Sequence, residues 1–197
     1  MPRIDDYFNA AAIAIESLRR ESRQNILKRS GFKECEDGIL APFLNRDYLI
    51  RLPDYIFFDT AAEPKDVPIQ EQVLILHYLQ AGSFQFPTGN WIAYREIHGA
   101  SFYFSAFVKR AVDPLKKTFG GNIQSLVRAA ERLGGQAISA GDAGFEFRVL
   151  PRIPIQLILW EGMRNFRPKP IFCSMTPSET FCLPKTLPGW PGCWYTG

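Results

Sequence analysis

Side chains able to take part in chemistry are concentrated in the loop Thr88–Tyr103. Aromatic rings with a polar edge beside a guanidinium suit the binding of a planar or anionic ligand. His98 and Glu96 could also exchange protons with a substrate. We therefore predict a ligand-binding site in this loop, joined by an aspartate from a later turn, with the residues Trp91, Tyr94, Arg95, Glu96, His98, Tyr103 and Asp142.

Each of these residues also has a structural explanation. Arg95 and Glu96 would form a local ion pair while the aromatic rings cover the end of a sheet, and Asp142 would only serve a turn between Gly141 and Ala143. His77, the other histidine, lies within an apolar stretch with helical character, which favours a hydrogen-bonded residue of the core or its rim.

Motifs for nucleophilic, nucleotide or metal chemistry are lacking. No serine or cysteine stands in a nucleophile motif, so the catalytic residues stay unassigned. Gly120-Gly121-Asn122 lacks the Lys-Ser/Thr of a phosphate-binding loop and predicts a helix cap instead. We predict no metal site and no cofactor, because the four cysteines are scattered rather than closely paired, at Cys35, Cys173, Cys182 and Cys193.

The charge distribution argues against a nucleic-acid partner. The net charge is +3, and residues 163–197 supply all of it with four basic residues against Glu179, which leaves residues 1–162 neutral. A nucleic-acid interface needs a basic face on the folded body. One basic cluster lies in the second half of the first predicted helix, and we interpret it as a solvated helix end rather than a phosphate site: Arg19, Arg20, Arg23, Lys28 and Arg29.

Membrane association is not expected either. No apolar run is long enough to span a bilayer, and Asp5 and Asp6 stand where a signal peptide would carry basic residues. We therefore expect a cytoplasmic protein whose partner is a small molecule or another protein.

The spacing of apolar residues predicts an α+β fold, with an antiparallel sheet and helices packed mainly on one face of it. Residues 1–162 are expected to form a single domain, and residues 163–197 a Pro/Cys-rich tail that is disordered or non-native. Helices are predicted over residues 5–29, 69–81, 102–119 and 122–133, and strands over residues 38–44, 48–52, 55–59, 136–140, 144–150 and 153–160.

Five motifs in order resemble an uncharacterised prokaryotic family, the domain of unknown function numbered 3786, which is frequent in anaerobes. The motifs are GILAPFLNRDYLI, VLILHYLQ, PTGNWIAYREIHGASFYFSAF, AAERLGG and GDAGFEFRVLPRIPIQLILWEG. The resemblance covers most of residues 1–162. It implies no activity and no catalytic residues.

The sequence departs from that family's pattern at Met163. Members of the family continue with a segment of the type Gly-Asp-Glu-Glu-Phe-Pro. Residues 162–166 can be written GGG ATG AGG AAT TTC, and one added G turns these codons into Gly-Asp-Glu-Glu-Phe. The same shift produces Ile-Leu-Phe-Asp and Leu-Pro-Thr-Glu-Asp motifs further on. We hypothesise a frame shift at this point; the alternative is a genuine Pro-rich tail.

Two functions of different class follow from these observations. The first is a non-catalytic binding or accessory module, which the resemblance assigns to anaerobic-type prokaryotic metabolism. The second is a small acid–base enzyme acting on a small polar substrate. Convergence of Arg95, Glu96, His98 and Asp142 in a closed pocket would favour the enzyme, and side chains spread over a flat surface would favour the binding module.

Overall fold

The computed structural model describes residues 4–81, 91–97 and 100–160, together with the backbone of residues 169–175. The chain divides into two compact units between residues 86 and 87. The first unit is described over residues 4–81, and the second over the remaining described residues. The predicted domain boundaries stay a prediction.

Three helices belong to the first unit: α1 (Ile4–Arg19), α2 (Arg23–Ser30) and α3 (Ile69–Gln80). The single helix predicted over residues 5–29 is two helices, because Ser22 adopts an extended conformation and the chain turns before α2 begins. Gly31 ends α2 as predicted: it is left-handed, with a φ of 73°, and its N–H donates to the Leu27 carbonyl.

An antiparallel sheet completes the first unit, with the strands β1 (Lys33–Cys35), β2 (Gly38–Phe43), β3 (Arg46–Arg51) and β4 (Ile56–Asp59) in that order. Ile39 pairs with Ile50 in the middle of the sheet, and both are fully buried. At Gly38 only glycine fits, since a Cβ there would lie 2.1 Å from the Ile50 carbonyl oxygen. The three predicted strands are confirmed, and β1 is additional.

Helix α3 supplies much of the core of this unit, as its apolar composition predicts. Five apolar residues of α3 are buried: Val73, Ile75, Leu76, Tyr78 and Leu79. The Tyr78 hydroxyl donates to the Ser30 carbonyl at the end of α2, at 2.5 Å. His77 is also buried, at 3% exposure, as its apolar surroundings predict, and among the described residues its Nδ1 has no hydrogen-bond partner.

The second unit contains three α-helices, α4 (Phe104–Phe107), α5 (Asp113–Phe119) and α6 (Ile123–Arg132), and a π-helical segment, Val108–Val112, between the first two. This wide turn lies directly before Pro114, which cannot donate the backbone bond of a regular helix. The predicted helix over residues 102–119 therefore continues through Asp113-Pro114, with a π-helical segment in its middle. Asn122 caps α6 as predicted, because its Oδ1 accepts from the Ser125 N–H at 3.0 Å.

A second antiparallel sheet has the strand order β5-β9-β8-β7-β6. Its strands are β5 (Trp91–Ala93), β6 (Gln136–Ile138), β7 (Ala143–Leu150), β8 (Ile153–Trp160) and β9 (Lys169–Met175). The strands predicted over residues 136–160 are confirmed. Strand β9 falls within the predicted tail, and the other residues of that tail lie outside the described residues.

The α+β class with antiparallel sheets is therefore confirmed. The strands form two sheets, one in each unit, rather than the one sheet that the sequence led us to expect. None of the helices in the described part of the chain is both long and apolar enough to cross a membrane.

Candidate functional site

The predicted loop site is described in part. Trp91 begins β5, Tyr94–Glu96 forms a single 3₁₀ turn directly after that strand, and Tyr103 ends a second 3₁₀ turn before α4. His98 lies outside the described residues, so its proposed acid–base role stays a prediction. The other predicted loop residues are close together because these short turns fold against α4.

Tyr94 is packed into this cluster by its aromatic face. Its ring stacks on Phe107, with the centroids 3.8 Å apart and the planes at 2°. Its hydroxyl is buried, and within the described part of the chain it has no hydrogen-bond partner. Burial, with a smaller contribution from Tyr103, raises the pKa of Tyr94 to about 12. The ring therefore stays neutral, and one of its faces is already occupied.

The charged residues of the cluster also have partners within it. The Arg95 guanidinium lies 5.2 Å from the centre of the Phe104 ring, a cation–π arrangement. Glu96 accepts a hydrogen bond from the Ala93 N–H at 2.6 Å and so caps its own 3₁₀ turn. Arg110, which was not predicted, donates to the Tyr103 hydroxyl and lies 5.7 Å from the centre of that ring.

Asp142 is not brought to this cluster. It precedes β7, and its N–H donates to the Leu159 carbonyl across the sheet at 2.9 Å. Strand β7 is three strands away from β5, roughly 14 Å at the usual strand spacing. Among the residues that the structure describes, the predicted acid–base side chains therefore do not converge in a closed pocket.

A cavity in the first unit was not predicted. It measures about 460 Å³, which is within the range of small-molecule sites. The loop between β3 and β4 closes one side of it, and the junction of α1 and α2 closes the other. The apolar lining is Leu18, Ile26, Ile39, Leu52 and Pro53, and the polar lining is Arg19, Glu21, Arg23 and Tyr55.

Both arginines of this lining are held by backbone carbonyls. Arg19 donates from Nε to the Pro53 carbonyl at 3.2 Å and from Nη2 to Asp54 Oδ1 at 2.7 Å. Arg23 donates from Nη2 to the Gly38 carbonyl at 2.7 Å. Its Nε lies 3.1 Å from Glu34 Oε1, close enough for charge attraction but without the alignment of a hydrogen bond. The guanidiniums are thus fixed in position before any ligand arrives.

Glu21 connects the cavity to the end of α3. Its carboxylate accepts from Arg29, which also donates from Nε to the Leu79 carbonyl at 2.7 Å. Carbonyl oxygens in the last turn of a helix accept no hydrogen bond from within that helix, and Arg29 supplies the missing donor to Leu79. The wall of the cavity therefore rests on a hydrogen-bonded chain that reaches the core.

Tyr55 is the remaining polar residue of the cavity. Its side chain is buried, and it takes a left-handed backbone conformation with a φ of 56°, which is uncommon for an aromatic residue. Burial raises the pKa of Tyr55, as does nearby Glu21, while Arg19, Arg29 and Arg23 oppose the rise. The hydroxyl therefore lies among these four charged groups and stays protonated at neutral pH.

The sequence contained one signal for this site, the basic cluster of residues 19–29. We interpreted that cluster as a solvated helix end, whereas Arg19 and Arg23 lie on a cavity wall. Periodicity could not reveal the wall, because Pro53 and Tyr55 lie about thirty residues further along the chain. In the described part of the chain, no three or more His, Cys, Asp or Glu residues are grouped so as to hold a metal ion.

Comparison with known proteins gives one match. The family model described as Domain of unknown function (DUF3786) matches residues 23–169, well over half of the chain. The chain belongs to the DUF3786 family. The DUF3786 match covers α2 to β8 and thus includes Arg23, Leu52, Pro53 and Tyr55 of the cavity as well as the predicted loop. Neither the curated proteins nor the solved structures contain a match.

Proposed function

We propose that this DUF3786 protein is a non-catalytic binding module whose ligand site is the cavity of the first unit. The observation that carries the proposal is the pair of arginines on the cavity wall, each fixed by a backbone carbonyl. Preorganised donors bind a ligand with little loss of side-chain entropy. Fixed donors beside apolar side chains are the usual composition of a small-molecule site.

The predicted loop site remains a proposal with less support. The stacked Tyr94 ring and the capping role of Glu96 favour the structural explanation of these two residues. The enzyme alternative required convergent acid–base side chains, and in the described residues Glu96 lies in the 3₁₀ turn after β5 whereas Asp142 precedes β7. We therefore do not extend the enzyme proposal.

A thermal-shift screen tests the proposed function. Purified protein is heated with a panel of small acids, amines, alcohols and sugars, because a ligand that binds the folded state raises its melting temperature. We expect at least one compound to stabilise the wild type but to lose its effect in Arg19→Gln. Arg20→Gln is the matched control, since Arg20 is the next residue, exposed and paired with Glu16 outside the cavity.

Two outcomes would contradict the proposal. One is a screen in which no compound raises the melting temperature. The other is a stabilising compound that acts equally on wild type, Arg19→Gln and Arg20→Gln, because its site would then lie elsewhere.

A further inference from the structure

The donors that face the cavity are not all used by the protein. Arg19 uses Nε and Nη2, and Arg23 uses Nη2, in their bonds to the backbone and to carboxylates. Within the residues that the structure describes, Nη1 of Arg19 and Nη1 of Arg23 have no hydrogen-bond partner. The Tyr55 hydroxyl is likewise without one among the described residues. Arg19, Arg23 and Tyr55 all line one cavity, and their remaining donors could bind an acceptor group of a ligand.

The charges around the cavity limit how negative that ligand can be. Arg19, Arg23 and Glu21 line the cavity, and Asp54 and Glu34 pair with the two arginines, so carboxylates offset the positive charge at the site. Asp54 and Glu34 are well exposed, at 62% and 59%, and exposed ion pairs are weak. A ligand with one negative charge can share these arginines, whereas a second negative charge would meet the three carboxylates.

Apolar surface makes up the rest of the lining. Leu52 and Pro53 border the cavity beside the arginines, and the buried side chains of Leu18, Ile26 and Ile39 lie behind them. The volume of about 460 Å³ is in the lower part of the range of small-molecule sites.

We infer that the cavity binds a small monocarboxylate with an apolar tail, held by the guanidiniums of Arg19 and Arg23 and by the Tyr55 hydroxyl. This inference rests on the proposed function and specifies its ligand class. The apolar tail lies along Leu52 and Pro53. The left-handed Tyr55 and the loop that contains it present the hydroxyl to the carboxylate.

Calorimetric titration with four six-carbon probes tests the inference: hexanoate, hexyl phosphate, hexylamine and 1-hexanol. The titrations are run at pH 8, where a phosphate monoester carries close to two negative charges. We expect hexanoate to bind at least tenfold more tightly than hexylamine or 1-hexanol, and more tightly than hexyl phosphate. Loss of one charge-assisted hydrogen bond corresponds to about tenfold or more in Kd. We therefore expect Arg19→Gln to raise the Kd for hexanoate by that factor.

Three further variants sharpen the test. Tyr55→Phe removes only the hydroxyl and is expected to raise the Kd for hexanoate several-fold. Arg20→Gln is expected to leave the Kd for hexanoate unchanged. Glu21→Gln removes one of the opposing carboxylates and is expected to lower the Kd for hexyl phosphate relative to the Kd for hexanoate. Unchanged melting temperatures show that each variant is folded before its Kd is compared.

The possible failures are distinguishable. Equal binding of hexylamine or 1-hexanol, preference for hexyl phosphate, or full binding of hexanoate by Arg19→Gln would overturn the carboxylate inference. If all four probes fail while a screened compound binds in an Arg19-dependent manner, the inference falls and the proposed function stands. If no compound of either set binds, both fall.

Discussion

At the scale of single residues, His77 couples stability to pH. Burial lowers the pKa of His77 to about 4, against about 6.5 in an unfolded chain. Between these values the unfolded chain takes up a proton that the folded protein does not, so the free energy of unfolding falls as the pH falls through that window. The loss is at most about 3 kcal/mol. Below pH 4 the folded protein also binds the proton, and the loss ends.

Replacement of this histidine tests the coupling. We expect His77→Leu to show a flatter pH dependence of unfolding free energy between pH 6.5 and pH 4, measured by urea titration at several pH values. Since Nδ1 has no partner to lose, the variant should be at least as stable as the wild type near pH 5. Parallel curves for variant and wild type would show that His77 does not titrate as described.

The buried hydroxyl of Tyr94 gives a second test. Tyr94→Phe removes a polar group that has no partner and keeps the stacking on Phe107. We expect the variant to be as stable as the wild type or more stable by up to about 1 kcal/mol. Tyr94→Ala, which removes the ring, should cost at least about 2 kcal/mol. A destabilised Tyr94→Phe protein would mean that the hydroxyl has a partner after all.

At the scale of elements, Arg29 joins the end of α2 to the end of α3. Its side chain is only 14% exposed, and it satisfies the Leu79 carbonyl and pairs with Glu21. Arg29→Met keeps most of the apolar stem but leaves both acceptors without their donor. We expect a loss of about 2–3 kcal/mol in the free energy of unfolding, measured by urea titration.

Arg20→Met is the control for that experiment, because Arg20, directly after α1, forms an exposed ion pair with Glu16. The Arg20→Met variant should lose less than about 0.5 kcal/mol in the free energy of unfolding. Equal losses in the two variants would argue that Arg29 contributes only as an exposed charge does.

The elements that the sequence predicts well are those with local signals. Gly31 ends α2 and Asn122 begins α6 because capping involves residues within four positions of each other. Strand β1 was missed, since Lys33-Glu34-Cys35 has no alternation of apolar residues and forms only by pairing with β2. The division of the strands into two sheets depends on distant pairing, which a periodic pattern does not contain.

The residues of the candidate site were also only partly predictable from the sequence. Residue types alone pointed to this loop, yet Tyr94 and Arg95 pack on rings of α4, and Glu96 accepts from the Ala93 N–H. The cavity combines Arg19 and Arg23 with Pro53 and Tyr55, and only the folding of the β3–β4 loop against the α1–α2 junction brings them together.

At the scale of the whole molecule, the frame-shift hypothesis stays a prediction. The family match ends at residue 169, a few residues after Met163, where the sequence departs from the pattern of its family. We expect resequencing of the coding DNA across codons 161–164 to reveal one additional G. An unchanged sequence in independent reads of the source DNA would establish residues 163–197 as the genuine continuation.

The cavity of the first unit is the proposed ligand site. Backbone amide shifts of ¹⁵N-labelled protein, followed by NMR during titration with hexanoate, test it most directly. We predict that the saturating changes lie at residues 18–26, at Ile39 and at residues 52–55. Changes confined to residues 91–110 would place the ligand on the predicted loop instead, and a spectrum that changes neither with hexanoate nor with any compound of the thermal-shift screen would contradict the claim.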